Sequence, residues 1–107
     1  MAFQKVATLD DLWSGEKLGV VIAARRVLLV NIAGMVYAYE DRCAHLGVAL
    51  SEGSLQDTVL TCRAHCWAYD VCTGRGHNPA TARLQALAVR VDNGSILVDV
   101  EQTWVAP

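Results

Sequence analysis

Two Cys/His pairs limit what this chain can become more than any other feature. In "CAHLG" one residue separates Cys43 from His45, and in "CRAHCW" two residues separate Cys62 from His65, with residues 46–61 lying between the pairs. Thiolate and imidazole are both good ligands for soft or borderline metals. The short spacing within each pair brings two ligands to one centre with little loop entropy to lose. A structural zinc ion could take all four groups, although "Cys-x-His" is tighter than the two to four residues common in zinc knuckles and ribbons. Two disulfides would leave the histidines unexplained.

The rest of the chain reads as a β scaffold. Its 107 residues suit one domain, 1–107, and 53% hydrophobic against 19% charged residues describes a folded globule. A net charge of −2 and the lack of any basic run give no electrostatic case for nucleic acid. Glu40, Asp41, Glu52, Asp57 and Asp70 lie nearest the Cys/His segments and would give a mildly acidic rim or scattered surface charge. "MAFQKVATLDDLW" lacks the apolar run of a signal peptide. "LGVVIAARRVLLVNIAGMVYAYE" is interrupted by Arg25, Arg26, Asn31 and Gly34, so no membrane span is expected and the expected location is the cytoplasm. Thiols stay reduced there.

Short apolar runs predict strands at "FQKVA", "LGVVIA", "VLLVNI", "MVYAYE", "TVLTC", "CWAYDV", "LQALAVRV" and "SILVDV", with one helical turn in "LDDLWSGE". Ala33-Gly34 and Asn93-Gly94 mark tight hairpin turns. The fold class expected is all-β, an antiparallel sandwich or barrel. Residues 42–80 hold all four cysteines, all three histidines and four of the eight glycines, and so predict a loop-rich insertion. Loops on a rigid scaffold are where sites usually sit.

A third reading of the pairs is a Rieske-type [2Fe–2S] centre, in which two cysteines hold one iron and two histidines the other. Each pair then supplies one ligand of each kind, and this alternation is what such a centre needs. The chain resembles the small Rieske ferredoxins through its "CxHxG" and "CxxH" boxes, "LDDLWSGE", "LSEGSL", "TCRAHCW" and "TGRGHNP". It looks most like the ferredoxin component of bacterial toluene and aromatic-hydrocarbon monooxygenases. Dioxygenase ferredoxins typically read "CPLHG" at the second box, and this chain has neither that proline nor that glycine.

The resemblance implies Cys43, His45, Cys62 and His65 as cluster ligands. It also implies an antiparallel β domain with a cluster-binding subdomain at one tip, and outward edges of His45 and His65 near a docking partner. Cysteines that bridge the loops in high-potential relatives would fall at Val48 and Ala64, and a serine donor would fall at Trp67. Fewer donors to cluster sulfur lower the potential, towards the bottom of a range of about −150 to +300 mV. Tyr69 stands where such relatives carry a tyrosine donor and would recover part of that loss.

Trp67 is a candidate docking aromatic or a shield over the cluster. Trp13 and Trp104 are expected to pack, Cys66 and Cys72 to act as small buried hydrophobes, and His77 to be exposed. Gly47, Gly74, Gly76 and Pro79 suit either close backbone approach to a cluster or ordinary turns.

No nucleotide fingerprint and no second metal motif occurs in the sequence, so the chain is expected to carry electrons and not to act as an enzyme. The resemblance implies transient partners, an NADH-dependent flavin/iron–sulfur reductase and a diiron hydroxylase, and a monomeric shuttle. The alternatives are a carrier for a ring-hydroxylating dioxygenase and, from another class, a zinc-stabilised interaction module. Replacing Cys43 or Cys62 by Ser should abolish cluster assembly. Normal iron and sulfide content in either variant would contradict the ligand assignment.

Overall fold

β3 carries the fold, because it is buried on both faces. A computed structural model describes residues 3–22, 24–42, 49–63, 67–78 and 83–103. Within these residues lie ten strands: β1 (Gln4–Thr8), β2 (Lys17–Ile22), β3 (Arg25–Ile32), β4 (Met35–Glu40), β5 (Ser54–Gln56), β6 (Val59–Thr61), β7 (Ala68–Asp70), β8 (Gly76–Asn78), β9 (Ala86–Asp92) and β10 (Ser95–Thr103). Six form one antiparallel sheet in the order β1-β10-β9-β4-β3-β2, and four form a second in the order β5-β6-β7-β8. The all-β antiparallel expectation is met.

Side chains alternate across a strand, so an apolar run with no polar interruption serves two faces. In β3, Val27 and Leu29 enter a core with Ala7, Leu12, Ala38, Leu87, Ile96 and Val98. Leu28 and Val30 face the opposite way, into a second core with Tyr39, Leu50, Leu60, Cys62, Tyr69 and Val71. The first core fills the large sheet, and the second glues the small sheet onto it.

Two hairpins fix the register. Ala33 and Gly34 have φ of 54° and 92°, and Asn93 and Gly94 have 51° and 79°. Two consecutive positive values are the signature of the turn that matches the right-handed twist of paired strands. The β3–β4 hairpin then pairs Ile32 with Met35 and Val27 with Glu40. The helical turn expected in "LDDLWSGE" is a short 3₁₀ helix at Leu9–Asp11. No helix among the described residues is long and apolar enough to cross a membrane.

A buried hydrogen bond ties the large sheet to the turn that follows β7. The Tyr39 hydroxyl donates to the Val71 carbonyl at 2.6 Å, inside the second core. Gly74 gives the tyrosine room, since its φ of +80° and a Cβ that would lie 3.3 Å from Tyr39 Cε1 both disfavour a larger residue. Burial above all, helped by the nearby Cys72, Tyr37 and Asp70, pushes the Tyr39 hydroxyl far above its ordinary value. Burial and then a hydrogen bond with the Cys72 side chain raise Tyr37 as well.

A raised folded pKa means that stability is intact below the unfolded value, about 10, and is lost as pH climbs towards the folded value. Each such tyrosine should steepen alkaline destabilisation by at most ~1.4 kcal/mol per pH unit above that point. Urea unfolding of Tyr39→Phe should show a shallower alkaline slope, together with a loss of about 1–3 kcal/mol at neutral pH from the orphaned carbonyl.

Candidate metal centre

The second Cys/His box leaves the small sheet directly. Cys62 follows β6 and is wholly buried in the core that also holds Leu50, Leu60 and Tyr69. Its backbone N–H donates to the Trp67 carbonyl at 2.7 Å, so the ends of segment 63–66 are joined. Trp67 is half-buried and packs on the same core. Arg63 is exposed and pairs with Glu52 at 3.4 Å.

The first box departs from the end of β4, and its flanks are joined as well. Asp41 is only 4% exposed, and both its oxygens accept hydrogen bonds from Ser51. The Ser51 backbone N–H reaches Oδ1 at 2.8 Å and the hydroxyl reaches Oδ2 at 2.6 Å. Lys17 Nζ then donates to the Ser51 carbonyl at 2.6 Å, anchoring the junction to β2. Gly19 makes the close approach possible, because a Cβ there would stand 2.7 Å from Ser51 Oγ and 3.1 Å from Asp41 Oδ2.

Past this clamp the chain runs against the other box. A short 3₁₀ helix, Leu50–Glu52, buries Leu50 in the core of Cys62. Gly53 presses on the strand that leads into Cys62, where a Cβ would come within 2.1 Å of the Thr61 carbonyl. Sequence segments on either side of residues 54–61 therefore flank one place. A buried thiol among aliphatic and aromatic groups suits a metal-bound sulfur. An uncompensated thiolate there would cost several kcal/mol of lost solvation, on the order of other buried charges. Cys62, the one candidate ligand among the described residues, thus fits an inward sulfur ligand.

Cys43, His45 and His65 lie outside the described residues, as do Gly47, Val48, Ala64, Cys66, Pro79 and Trp104. Accordingly, no group of three or more His, Cys, Asp or Glu side chains comes together among the described residues. Tyr69 is wholly buried beside Cys62 in the shared core, and His77 is exposed on β8, as expected. Cys72 is partly exposed, and its side chain meets Tyr37.

The packing expectation for Trp13 is corrected. Trp13 does not pack: it is 67% exposed, and its indole Nε1–H donates to the Asp10 carbonyl at 3.0 Å, which holds the ring at the surface. Of the two readings of the acids near the boxes, the structure favours scattered charge over an acidic rim for three of them. Asp41 is turned inward by Ser51, Glu40 is paired with Arg25, and Glu52 with Arg63. The clamp of Lys17, Gly19, Asp41 and Ser51 was not identified from sequence. Its only trace was "LSEGSL", which contributed to the family pattern without revealing a role.

The comparisons with known proteins agree with this geometry. Residues 2–89 match the model of the Rieske [2Fe-2S] domain. The chain is 41% identical over 97 residues to the "Alkene monooxygenase system, ferredoxin component" of Xanthobacter autotrophicus, covering 90% of this chain and 80% of the relative. It is 35% identical over 102 residues to the "Biphenyl 2,3-dioxygenase, ferredoxin component" of Rhodococcus jostii, covering 94% and 95%. Among solved structures, the ferredoxin of carbazole 1,9a-dioxygenase from Nocardioides aromaticivorans superposes with a TM-score of 0.82 at 30% identity, over 92% of this chain and 97% of that one. A chain in a complex of reduced oxygenase and oxidized ferredoxin of carbazole 1,9a-dioxygenase gives 0.84 at 30% identity, over 96% of each.

The clamp yields a direct test. Asp41→Ala should leave Ser51 without its acceptor and cost about 1–3 kcal/mol, and it should speed iron loss to a chelator. Unfolding and chelation rates that match the parent would show that the clamp does not hold the first box.

Proposed function

The chain belongs to the Rieske [2Fe–2S] domain family, and from that premise we propose that it relays single electrons from an NADH-dependent reductase to the diiron hydroxylase of a multicomponent monooxygenase. The relatives named above are ferredoxin components of oxygenase systems, electron-transfer proteins and not catalysts. We assign Cys43 and Cys62 to one iron and His45 and His65 to the other. A [2Fe–2S] group held this way accepts and returns one electron without any change of bonded partners.

The chain's own residues supply the setting. The core of Leu50, Leu60 and Tyr69 keeps Cys62 from water, and Trp67 closes one side of that core. Residues 42–80 are assigned as the cluster-binding part of one domain spanning 1–107, and His45, His65 and Trp67 are proposed as docking residues. Contacts of this kind are small and partly polar, and they suit transient complexes formed by a monomeric cytoplasmic shuttle. Tyr69→Phe should lower the potential if the hydroxyl stabilises the reduced state.

The single observation that carries the monooxygenase assignment is the 41% identity to the alkene monooxygenase ferredoxin, against 35% to the biphenyl dioxygenase one. That the relatives include dioxygenase ferredoxins favours a second reading, a carrier for a ring-hydroxylating dioxygenase. Aromatic hydrocarbons are the substrate class proposed for the hydroxylase. A turnover assay with NADH, a reductase and exchanged terminal oxygenases separates the two. Product formation with a diiron hydroxylase, falling to background when the chain is omitted, is expected. Turnover only with a dioxygenase would move the partner assignment, and none with either, from cluster-loaded protein, would contradict the carrier role.

A further inference from the structure

We infer that Trp13 and the β3–β4 hairpin beside it form a second docking face, which takes a lysine- or arginine-bearing face of a protein partner. Its use by a carrier rests on the electron-transfer reading above. Trp13 is 67% exposed, and Met35, the first residue of β4, is 63% exposed. Hydrogen bonds seat the Trp13 turn on the hairpin. The Gly15 N–H donates to the Asn31 carbonyl at 2.7 Å, the Ala33 N–H to the Ser14 hydroxyl at 3.0 Å, and the Asn31 side-chain amide to the Leu12 carbonyl at 2.9 Å. β4 runs from Met35 at this hairpin to Glu40, ahead of the first Cys/His box. At about 3.4 Å per residue, roughly 17 Å of strand separates its two ends. The exposed indole therefore lies at the end of the sheet away from that box.

The ring is held in place before any partner arrives. Its Nε1–H donates to the Asp10 carbonyl at 3.0 Å, and the Trp13 backbone N–H donates to Glu16 Oε1 at 2.8 Å. A side chain already fixed loses little freedom on docking, and tryptophan is among the residues that most often carry interface energy. The rim around it is acidic. Asp10, Asp11 and Glu16 are all exposed and form no ion pair among the described residues. Hydrogen bonds from the Thr8 N–H and hydroxyl, with help from the charge of Lys5, hold the Asp11 carboxyl below its ordinary value. Asp92 is paired with Arg90 and adds nothing to the balance, and the Lys17 ammonium is engaged with the Ser51 carbonyl. Three carboxylates against one free ammonium group thus surround an exposed aromatic ring.

This composition selects the occupant. Lysine and arginine stack on the face of an indole through the ring quadrupole, and their aliphatic stems cover apolar neighbours such as Met35. The carboxylates of the rim then complement the cationic heads. A second copy of the chain would bring acid against acid across a two-fold axis, and an anionic lipid surface would be repelled in the same way. A basic protein face satisfies both the ring and the rim. Because the site lies away from the first box, a partner held here leaves the ligand end free to meet an electron donor or acceptor. Such tethering raises the effective concentration of the carrier without any tight contact at the ligand end.

Two peptides test the face without an identified partner. Isotope-labelled, cluster-loaded protein is titrated in an NMR experiment with acetylated and amidated Lys-Leu-Lys-Lys-Leu-Lys, or with its counterpart Glu-Leu-Glu-Glu-Leu-Glu. The basic peptide should shift the Trp13 indole and Met35 amide signals, and added salt should weaken its binding. The acidic peptide should leave them unmoved. Trp13→Ala should weaken binding by about tenfold or more, and Asp10→Asn by a smaller factor. Equal binding of the two peptides, shifts spread evenly over the surface, or parent-like binding by Trp13→Ala would overturn the inference. With a reductase and a diiron hydroxylase, Trp13→Ala should also raise the KM for the carrier at one of the two while its midpoint potential stays that of the parent. An unchanged KM at both would overturn the docking role. A protein that binds the basic peptide at Trp13 but takes up no redox-active cluster would instead overturn the carrier reading and leave the docking face standing.

Discussion

The structure depends on one strand being buried on both sides. From β3, Val27 and Leu29 supply one core while Leu28 and Val30 supply the other, and only the second of these cores contains Cys62. The small sheet has three-residue strands, too short to be stable alone. It gains its stability by lying on Leu28, Val30 and Tyr39. The position of the metal-ligand boxes is thus a consequence of apolar packing on a neighbouring sheet, reinforced by the buried bond from Tyr39 to Val71.

On that base, both boxes are closed at their ends by hydrogen bonds that use none of the ligand side chains. Asp41 and Ser51 join the flanks of the first, and Cys62 and Trp67 the flanks of the second. A loop with its ends already fixed loses less entropy when it takes up a ligand geometry, so the scaffold bears part of the ordering cost before any metal binds.

Much of this was legible in the sequence, for identifiable reasons. The ligand boxes could be read because metal chemistry restricts both residue type and spacing, and the Ala33-Gly34 and Asn93-Gly94 turns because few residue pairs accept two positive φ values. β3 was legible as an unbroken apolar run. β5 and β8 were not, since "SLQ" and "GHN" have no strand pattern of their own and are extended only because β6 and β7 offer partners. The clamp escaped because it joins Lys17, Gly19, Asp41 and Ser51 through burial and contact, neither of which has a period. Trp13 was misjudged because a tryptophan usually packs, whereas here a hydrogen bond to Asp10 holds it at the surface. The choice between an acidic rim and scattered charge near the boxes needed the structure, because counting acids says nothing about which of them are already paired.

The central claim is that Cys43, His45, Cys62 and His65 together hold one redox-active [2Fe–2S] cluster. A spectroelectrochemical titration of the purified protein, following the visible bands and the reduced-state EPR signal together, tests it most directly. The account predicts a single one-electron couple at negative potential, with the low average g value of mixed histidine and cysteine ligation. A protein that holds one zinc ion and shows no redox transition after anaerobic preparation would contradict it, and the two boxes would then be a structural metal site.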